Sequence, residues 1–331
     1  MTVSARQRQV FLRQAETFEG RSPLYAGLAR RLAEEPLVAE VLPDLRFDAA
    51  LRLLLALRHL ELREGLDPWR DPIAVLRERV GWIRSFTRET AVQTNEVQRS
   101  WGLLPCFLTL WQEAGAGRPL DLIELGASAG FNLLWDRYRY HYRAGVWGAA
   151  AAKLELRGVE RRPVPGELLR LRPRVRRRTG VELRPIDAST PQGLQLLELF
   201  VWPGNEARLE RLRRAAEVAG EEPLPIVAGD YVELLPSLLA ERDPEALTIV
   251  YQTASTGYLR EKERARLLET LEAEGVARGG LAWVSTERAP DETVAGWALE
   301  AHAWPGERAW PQERRLLAYF DVHGDWLDWL E

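Results

Sequence analysis

The spacing of apolar residues changes near residue 115. Before that point, apolar residues recur three and four positions apart in the runs 11–18, 24–33, 51–60 and 73–80, and prolines separate the runs. This spacing places the apolar side chains on one face of a helix. We therefore expect residues 1–115 to form an all-helical N-terminal region.

From residue 119 onward, short apolar runs alternate with helical patterns, which is typical of a parallel sheet. The predicted strands are 120–125, 175–183, 224–228, 246–251 and 281–285, and an antiparallel hairpin is predicted at 316–322 and 326–330. The predicted helices are 130–142, 194–219 with a break at 202–204, 231–240 and 261–275. Residues 116–331 are interpreted as an α/β domain with an insertion at about 143–180.

A glycine-bounded turn follows the first predicted strand, in the sequence Glu124-Leu-Gly-Ala-Ser-Ala-Gly130. Glu124, Gly126, Ser128 and Gly130 resemble the first motif of S-adenosylmethionine-dependent methyltransferases. Gly126-x-Ser128-x-Gly130 also matches the nucleophile elbow of serine hydrolases. A dinucleotide site is excluded, because G-x-G-x-x-G spacing from Gly126 requires glycines where Ser128 and Phe131 stand.

The hydrolase interpretation requires a base for Ser128 and strands ahead of it. A triad could combine Ser128 with Asp291 and either His302 or His323. The region ahead is predicted to be helical, however, and no His-Gly oxyanion-hole motif precedes the serine. The hydrolase is therefore the third alternative.

The methyltransferase interpretation requires carboxylates at successive strand ends. Glu124 suits the cationic methionine end of the cofactor. Glu182, with Asp187 in reserve, is expected to accept hydrogen bonds from the ribose hydroxyls, because a carboxylate is an acceptor only. Asp230 is expected to accept from the adenine amino group, and Tyr231 to cover the purine face.

The candidate residues fall into three groups. The predicted cofactor site comprises Glu124, Gly126, Ala127, Ser128, Gly130, Asn132, Glu182, Asp187, Asp230, Tyr231 and Gln252. Tyr251 or Asp230 is the candidate base for an oxygen or nitrogen acceptor. The substrate-binding candidates are Thr94, Asn95, Glu96, Arg99 and Thr253, although Thr94 and Asn95 alternatively cap the following helix. No metal site is predicted.

Charge and composition narrow the partners. The net charge of −4 argues against a nucleic-acid or anionic-membrane partner. No apolar run is long enough to span a bilayer, no signal peptide is recognisable, and the single cysteine, Cys106, lies in an apolar run. We expect a cytoplasmic protein with a small-molecule substrate.

Several stretches together resemble the bacterial domain of unknown function 2332 family. They are Ser22-Pro-Leu-Tyr25, 92–99, 124–134, 136–140, 201–203 and 323–330. The resemblance implies a Rossmann-like seven-stranded methyltransferase sheet, with the last strand antiparallel and a helical N-terminal extension serving as a lid or substrate-recognition region. We expect an S-adenosylmethionine-dependent methyltransferase that acts by in-line transfer. The alternative is a non-catalytic cofactor-binding or scaffold protein on the same fold.

Overall fold

A computed structural model describes residues 3–42, 44–90, 92–115, 117–222, 224–289, 296–304 and 314–331. The chain divides into two compact units. The first consists of Met1–Thr94 and Gln195–Glu210, and the second of Asn95–Leu194 and Arg211–Glu331. The predicted division at residue 115, with its lid role, stays a prediction.

The first unit is helical where it is described. Its helices are α1 (Ala5–Phe18), α2 (Pro23–Ala33), α3 (Val38–Val41), α4 (Ala49–Glu64), α5 (Pro72–Glu78) and α6 (Val80–Glu89). The Ser22 side chain caps α2 by accepting from the Tyr25 amide, and Pro23 occupies the first turn. Trp202, from the later segment, packs edge-on against Phe18 with ring centroids 4.9 Å apart. The core of this unit therefore combines distant parts of the chain.

The second unit contains the sheets and the remaining helices. Its strands are β1 (Leu120–Leu125), β2 (Arg139–Tyr142), β3 (Gly145–Trp147), β4 (Glu155–Arg157), β5 (Val159–Glu160), β6 (Val175–Glu182), β7 (Ile226–Ala228), β8 (Leu247–Thr253), β9 (Leu281–Arg288), β10 (Trp297–Trp304), β11 (Arg315–Phe320) and β12 (Trp326–Trp329). Its helices are α7 (Arg99–Ala114), α10 (Tyr231–Ala240) and α11 (Glu261–Arg278). The sequence boundaries of the units fall within α8 (Pro191–Leu199) and α9 (Glu206–Ala219).

Nine strands of the described residues form one mixed sheet, in the order β5-β12-β11-β10-β9-β8-β1-β6-β7. Neighbours from β7 through β9 are parallel, whereas β9, β10, β11 and β12 pair antiparallel and β5 joins β12 in parallel. After β1 the chain adds β6 and β7 on one side and then β8 and β9 on the other. The strand order thus reverses between β1 and β8, where open α/β sheets bind ligands beyond the carboxyl ends of their strands.

The two faces of the sheet carry different side chains. Ile123 and Val250 belong to a buried cluster with Leu235 of α10 and Leu271 of α11. Glu124 and Tyr251 are register partners on β1 and β8, and they point to the opposite face because side chains alternate along a strand. On that face the ring of Phe107 from α7 meets the Tyr251 ring edge-on at 5.1 Å between centroids. Glu124 is therefore covered by α7.

The structure confirms most predicted elements and corrects others. The mixed α/β class with a large, mostly parallel sheet is confirmed, but the sheet has nine strands rather than seven and more than one antiparallel strand. Strand β10 went unpredicted, because its alanines carry little strand signal and its pairing comes from β9 and β11. The insertion contributes β3, β4 and β5, and β3 and β4 flank β2 in a small second sheet.

The predicted helix at 130–142 was wrong beyond its first turns. A 3-10 helix covers Phe131–Arg137 and strand β2 follows. The tyrosines at 138, 140 and 142 are buried at every second position, and the hydroxyls of Tyr138 and Tyr140 donate to the carbonyls of Phe131 and Trp135 at 2.7 and 2.6 Å. This period of two is a strand pattern.

Candidate functional site

The loop after β1 is built from left-handed backbone conformations. Gly126, Ser128 and Gly130 have φ angles of 75°, 54° and 78°. Glycine adopts this region without steric penalty, whereas serine does so rarely. The amide N–H groups of Gly126 and Ala127 both donate to the Val181 carbonyl, at 2.8 and 3.1 Å, and this fixes the loop to β6. Ser128 therefore occupies a conformation typical of glycine.

Gly126 is required by close approach as well as by its φ angle. A Cβ at this position would lie 2.5 Å from the Cβ of Ser255, and the Ser255 hydroxyl donates to the Leu125 carbonyl at 2.8 Å. Ser255 follows β8, so this contact joins the two strands between which the order reverses. The loop after β8 thus packs directly on the glycine loop.

Glu124 is a buried carboxylate held by neutral hydrogen-bond donors. The Tyr251 hydroxyl donates to its Oε2 at 3.3 Å, and Nδ2 of Asn132 donates to its Oε1 at 3.5 Å. Burial raises the pKa of Glu124 to about 8, against the lowering effects of these two hydrogen bonds and of the Arg99 charge. Glu124 forms no salt bridge among the described residues. A nearby cation would therefore stabilise its ionised form.

The 3-10 helix beside Glu124 is anchored by residues at and before the start of α7. Oδ1 of Asn95 accepts from the Phe131 amide at 3.1 Å. The Ser100 hydroxyl donates to Oδ1 of Asn132 at 2.8 Å, which directs Nδ2 of Asn132 toward Glu124. Ser100 was not among the predicted residues, because this contact depends on where α7 packs.

Glu182 ends β6 and stabilises the glycine loop directly. Its Oε2 accepts from the Ser128 amide at 3.0 Å, and its Oε1 accepts from the Arg184 amide at 3.2 Å. Asp187, the reserve candidate, is exposed and accepts from the Ser189 amide and hydroxyl, which lower its pKa. Glu182 therefore lies against the loop, whereas Asp187 stabilises a turn beyond it.

Asp230 caps helix α10 and is exposed. Its Oδ1 accepts from the Val232 amide at 2.8 Å, while its Oδ2 accepts from no described residue. Tyr231 is buried, which raises the pKa of its hydroxyl, and its ring belongs to the cluster beneath the sheet. Asp230 thus has an acceptor oxygen directed away from its capping bond.

Most polar groups at the carboxyl end of β8 form hydrogen bonds within the protein. Burial raises the pKa of Tyr251 well above its ordinary value, so this phenol retains its proton and serves as a donor to Glu124. The Gln252 amide is fully buried, accepting from the Ser255 amide and donating to the Ser285 hydroxyl, both at 3.0 Å. Thr253 accepts from Nη1 of Arg99 at 3.4 Å.

The residues predicted to bind the substrate differ in burial and in hydrogen-bond partners. Arg99 is buried, donates to the Val322 carbonyl at 2.8 Å and reaches Thr253. Glu96 is buried and accepts from the Gln98 amide at 3.2 Å. Thr94 is half-buried and ends the first segment of the other unit. Asn95, Arg99 and Thr253 thus lie on the second unit, and Arg99 acts electrostatically on Glu124.

Ser128 has no base within hydrogen-bonding distance among the described residues. Its hydroxyl is buried and has no hydrogen-bond partner there. His302 lies on β10, where its ring contacts that of Trp304, and the His323 amide donates to Asp321. Asp291, the proposed acid of the triad, lies outside the described residues. The described residues therefore supply no triad for Ser128.

Comparisons with known proteins point to one family. A family model described as an uncharacterized protein conserved in bacteria (DUF2332) matches residues 8–329. No curated protein matches the chain. None of the helices among the described residues combines the length and the hydropathy that a transmembrane span requires.

Proposed function

The chain belongs to the DUF2332 family, and from that premise we propose that it is an S-adenosylmethionine-dependent methyltransferase acting on a small molecule. The observation that carries the proposal is the arrangement at the carboxyl ends of β1, β6 and β7. A left-handed loop follows β1, and Glu124, Glu182 and Asp230 stand at or just beyond the ends of these adjacent parallel strands. We further propose that β7-β6-β1-β8-β9 is the core of a methyltransferase-like fold.

The buried carboxylate of Glu124 supports this choice of cofactor. A buried carboxylate without a paired cation is costly, and its pKa of about 8 reflects that cost. The methionine ammonium group of the cofactor would stabilise the ionised form. The residues present fit the cofactor on a second observation as well, since the unpartnered hydroxyl of Ser128 lies in the same loop.

The other carboxylates take roles that follow from their contacts. Glu182 would accept from the ribose hydroxyls while keeping the loop fixed through the Ser128 amide. The outer oxygen of Asp230 would accept from the adenine amino group. Tyr251, which retains its proton, would position Glu124 rather than act as a base.

The bound cofactor would supply a methyl group on a sulfonium, already activated for displacement by an acceptor. The protein then has to position the acceptor and exclude water. The exit of β8 and Arg99 beneath it are buried, which helps to exclude water. Of the two predicted bases, Tyr251 retains its proton and Asp230 would be engaged with adenine, so no base is assigned to the acceptor.

Calorimetric titration with S-adenosylmethionine tests the proposal. We expect binding by the wild-type chain and a weakening of about tenfold or more for Asp230→Asn, since hydrogen bonds involving a charged group contribute about 1.5–3 kcal/mol. Asparagine retains the capping oxygen but replaces the outer acceptor with a donor, so the helix start is preserved. Asp71→Asn is the matched control, because Asp71 is an exposed capping aspartate of α5 in the other unit.

Two further variants separate the ribose candidates. Glu182→Gln should weaken binding, whereas Asp187→Asn should leave the dissociation constant unchanged; the reverse result would transfer the ribose contact to Asp187. A folded wild-type chain that binds neither S-adenosylmethionine nor its demethylated product would refute the proposed function.

A further inference from the structure

A cavity lies between α11 and strands β9 and β10, and Thr256 of the loop after β8 also lines it. It has a volume of about 220 Å³, and its apolar wall is formed by Leu267, Leu268, Trp283 and Ala298. Pockets for drug-sized molecules usually measure about 300–1,000 Å³. The cavity therefore suits a smaller ligand with an apolar body.

The orientation of one hydroxyl in this cavity is set by its neighbours. The Oε1 atom of Gln252 accepts from the Ser255 amide, which turns the Gln252 amino group toward Ser285. Nε2 of Gln252 then donates to the Ser285 hydroxyl oxygen at 3.0 Å. The hydroxyl hydrogen of Ser285 is directed elsewhere and donates to no described residue, and Ser285 lines the cavity. A buried donor is thus available to a ligand.

The charged residues around the cavity leave one cation without a partner among the described residues. Arg314 lies 3.8 Å from Glu300. Burial raises the pKa of Glu287, against the lowering effects of the hydrogen bond from the Thr256 hydroxyl and of the Arg264 charge. Arg288 is exposed at the cavity, and its guanidinium forms no hydrogen bond or ion pair with a described residue. Three arginines and two glutamates line the cavity, so its formal net charge is +1, which matches a monoanionic ligand.

We propose that this cavity binds a small monocarboxylate that carries an apolar body. The apolar part would lie against Leu267, Leu268 and Ala298. The carboxylate would accept from Ser285 and from the planar guanidinium of Arg288, a donor that suits carboxylates. None of the residues that line this cavity belongs to the predicted cofactor site, although Gln252, which orients Ser285, does.

Benzoate titrated into the full chain, without any cofactor, tests the site. We expect saturable binding by calorimetry, and binding at least about tenfold weaker for benzyl alcohol, which keeps the ring but lacks the charge. Inorganic phosphate, without an apolar body, should bind more weakly than benzoate. Equal binding of phosphate and benzoate would indicate a simple anion site and overturn the proposal.

Substitutions place the binding in this cavity. Arg288→Gln and Ser285→Ala should each weaken benzoate binding, the first by about tenfold or more. Lys262→Gln is the control, because it removes one positive charge from an exposed position of α11 outside the cavity. Circular dichroism verifies that each variant is folded. Absence of benzoate binding up to roughly 10 mM, or undiminished binding by folded Arg288→Gln, refutes the inference whether or not S-adenosylmethionine binds.

Discussion

Replacing Glu124 by glutamine tests the electrostatics of the glycine-loop site without any ligand. The wild-type carboxylate is 1% exposed, and its pKa is raised from 4.5 to about 8. The folded chain therefore holds this proton more tightly than the unfolded chain. Below the unfolded pKa, Glu124 is protonated in both states and its raised pKa has no effect on stability. As the pH rises toward 8, folding requires uptake of a proton by Glu124, and the stability of the folded protein falls.

The magnitude follows from the size of the pKa change. Each pH unit between the unfolded and folded values removes about 1.4 kcal/mol of folding free energy. The raised pKa of Glu124 therefore destabilises the wild-type protein by about 3 kcal/mol at pH 7 and by about 5 kcal/mol well above pH 8. Glu124→Gln has no ionisable group at this position and therefore lacks this pH-dependent loss of stability. Its amide meets two donors, from Tyr251 and Asn132, so it carries a pH-independent penalty of about 1–3 kcal/mol.

Urea unfolding at a series of pH values measures the effect. Between pH 5 and pH 9, the stability difference between wild type and Glu124→Gln should shift by about 4 kcal/mol in favour of the variant. Glu269→Gln, at an exposed position of α11, should retain the wild-type pH dependence. A wild-type minus Glu124→Gln difference that is constant across this range would refute the reasoning.

Three further predictions concern packing. Gly126→Ala should destabilise the protein by about 2 kcal/mol more than Gly117→Ala in thermal unfolding. Both glycines have a positive φ, but only Gly126 of the two has a close neighbour, Ser255, so that crowding adds to the backbone strain. Equal losses of stability in the two variants would contradict this prediction. Cys106 on α7 is fully buried and its pKa is raised, so the native protein should resist a thiol reagent and react only on unfolding. Rapid reaction of the native protein would contradict this burial. Trp202→Ala should cost about 3–5 kcal/mol in urea unfolding, since its ring packs on Phe18 in the first unit; a loss below 1 kcal/mol would contradict that packing.

Local patterns predicted the elements of the sheet that build the site. The apolar run 120–125 and the glycines after it anticipated β1 and its left-handed loop, and helix α10 has the predicted bounds Tyr231–Ala240. These features depend on residues close together in sequence, where strand ends, caps and positive φ angles leave a direct signature.

Features that depend on distant contacts had no such signature. Asn95 and Ser100 reach the loop only because α7 packs over it, and the pattern of α7 shows an apolar helix without saying what it covers. Strand β5 has only two residues and exists through its pairing with β12. The spacing of apolar residues along the chain therefore does not predict the number of strands in the sheet.

The helical unit closes its core with a tryptophan made late in synthesis. Trp202 emerges from the ribosome long after Thr94, the last residue of the unit's first segment. Until then, the rings of Phe18 and Tyr25 lack a neighbour that they contact in the finished protein. The N-terminal helices consequently cannot complete their folding as a nascent domain, and a truncation at residue 94 would preserve every helix of that segment while omitting part of its core.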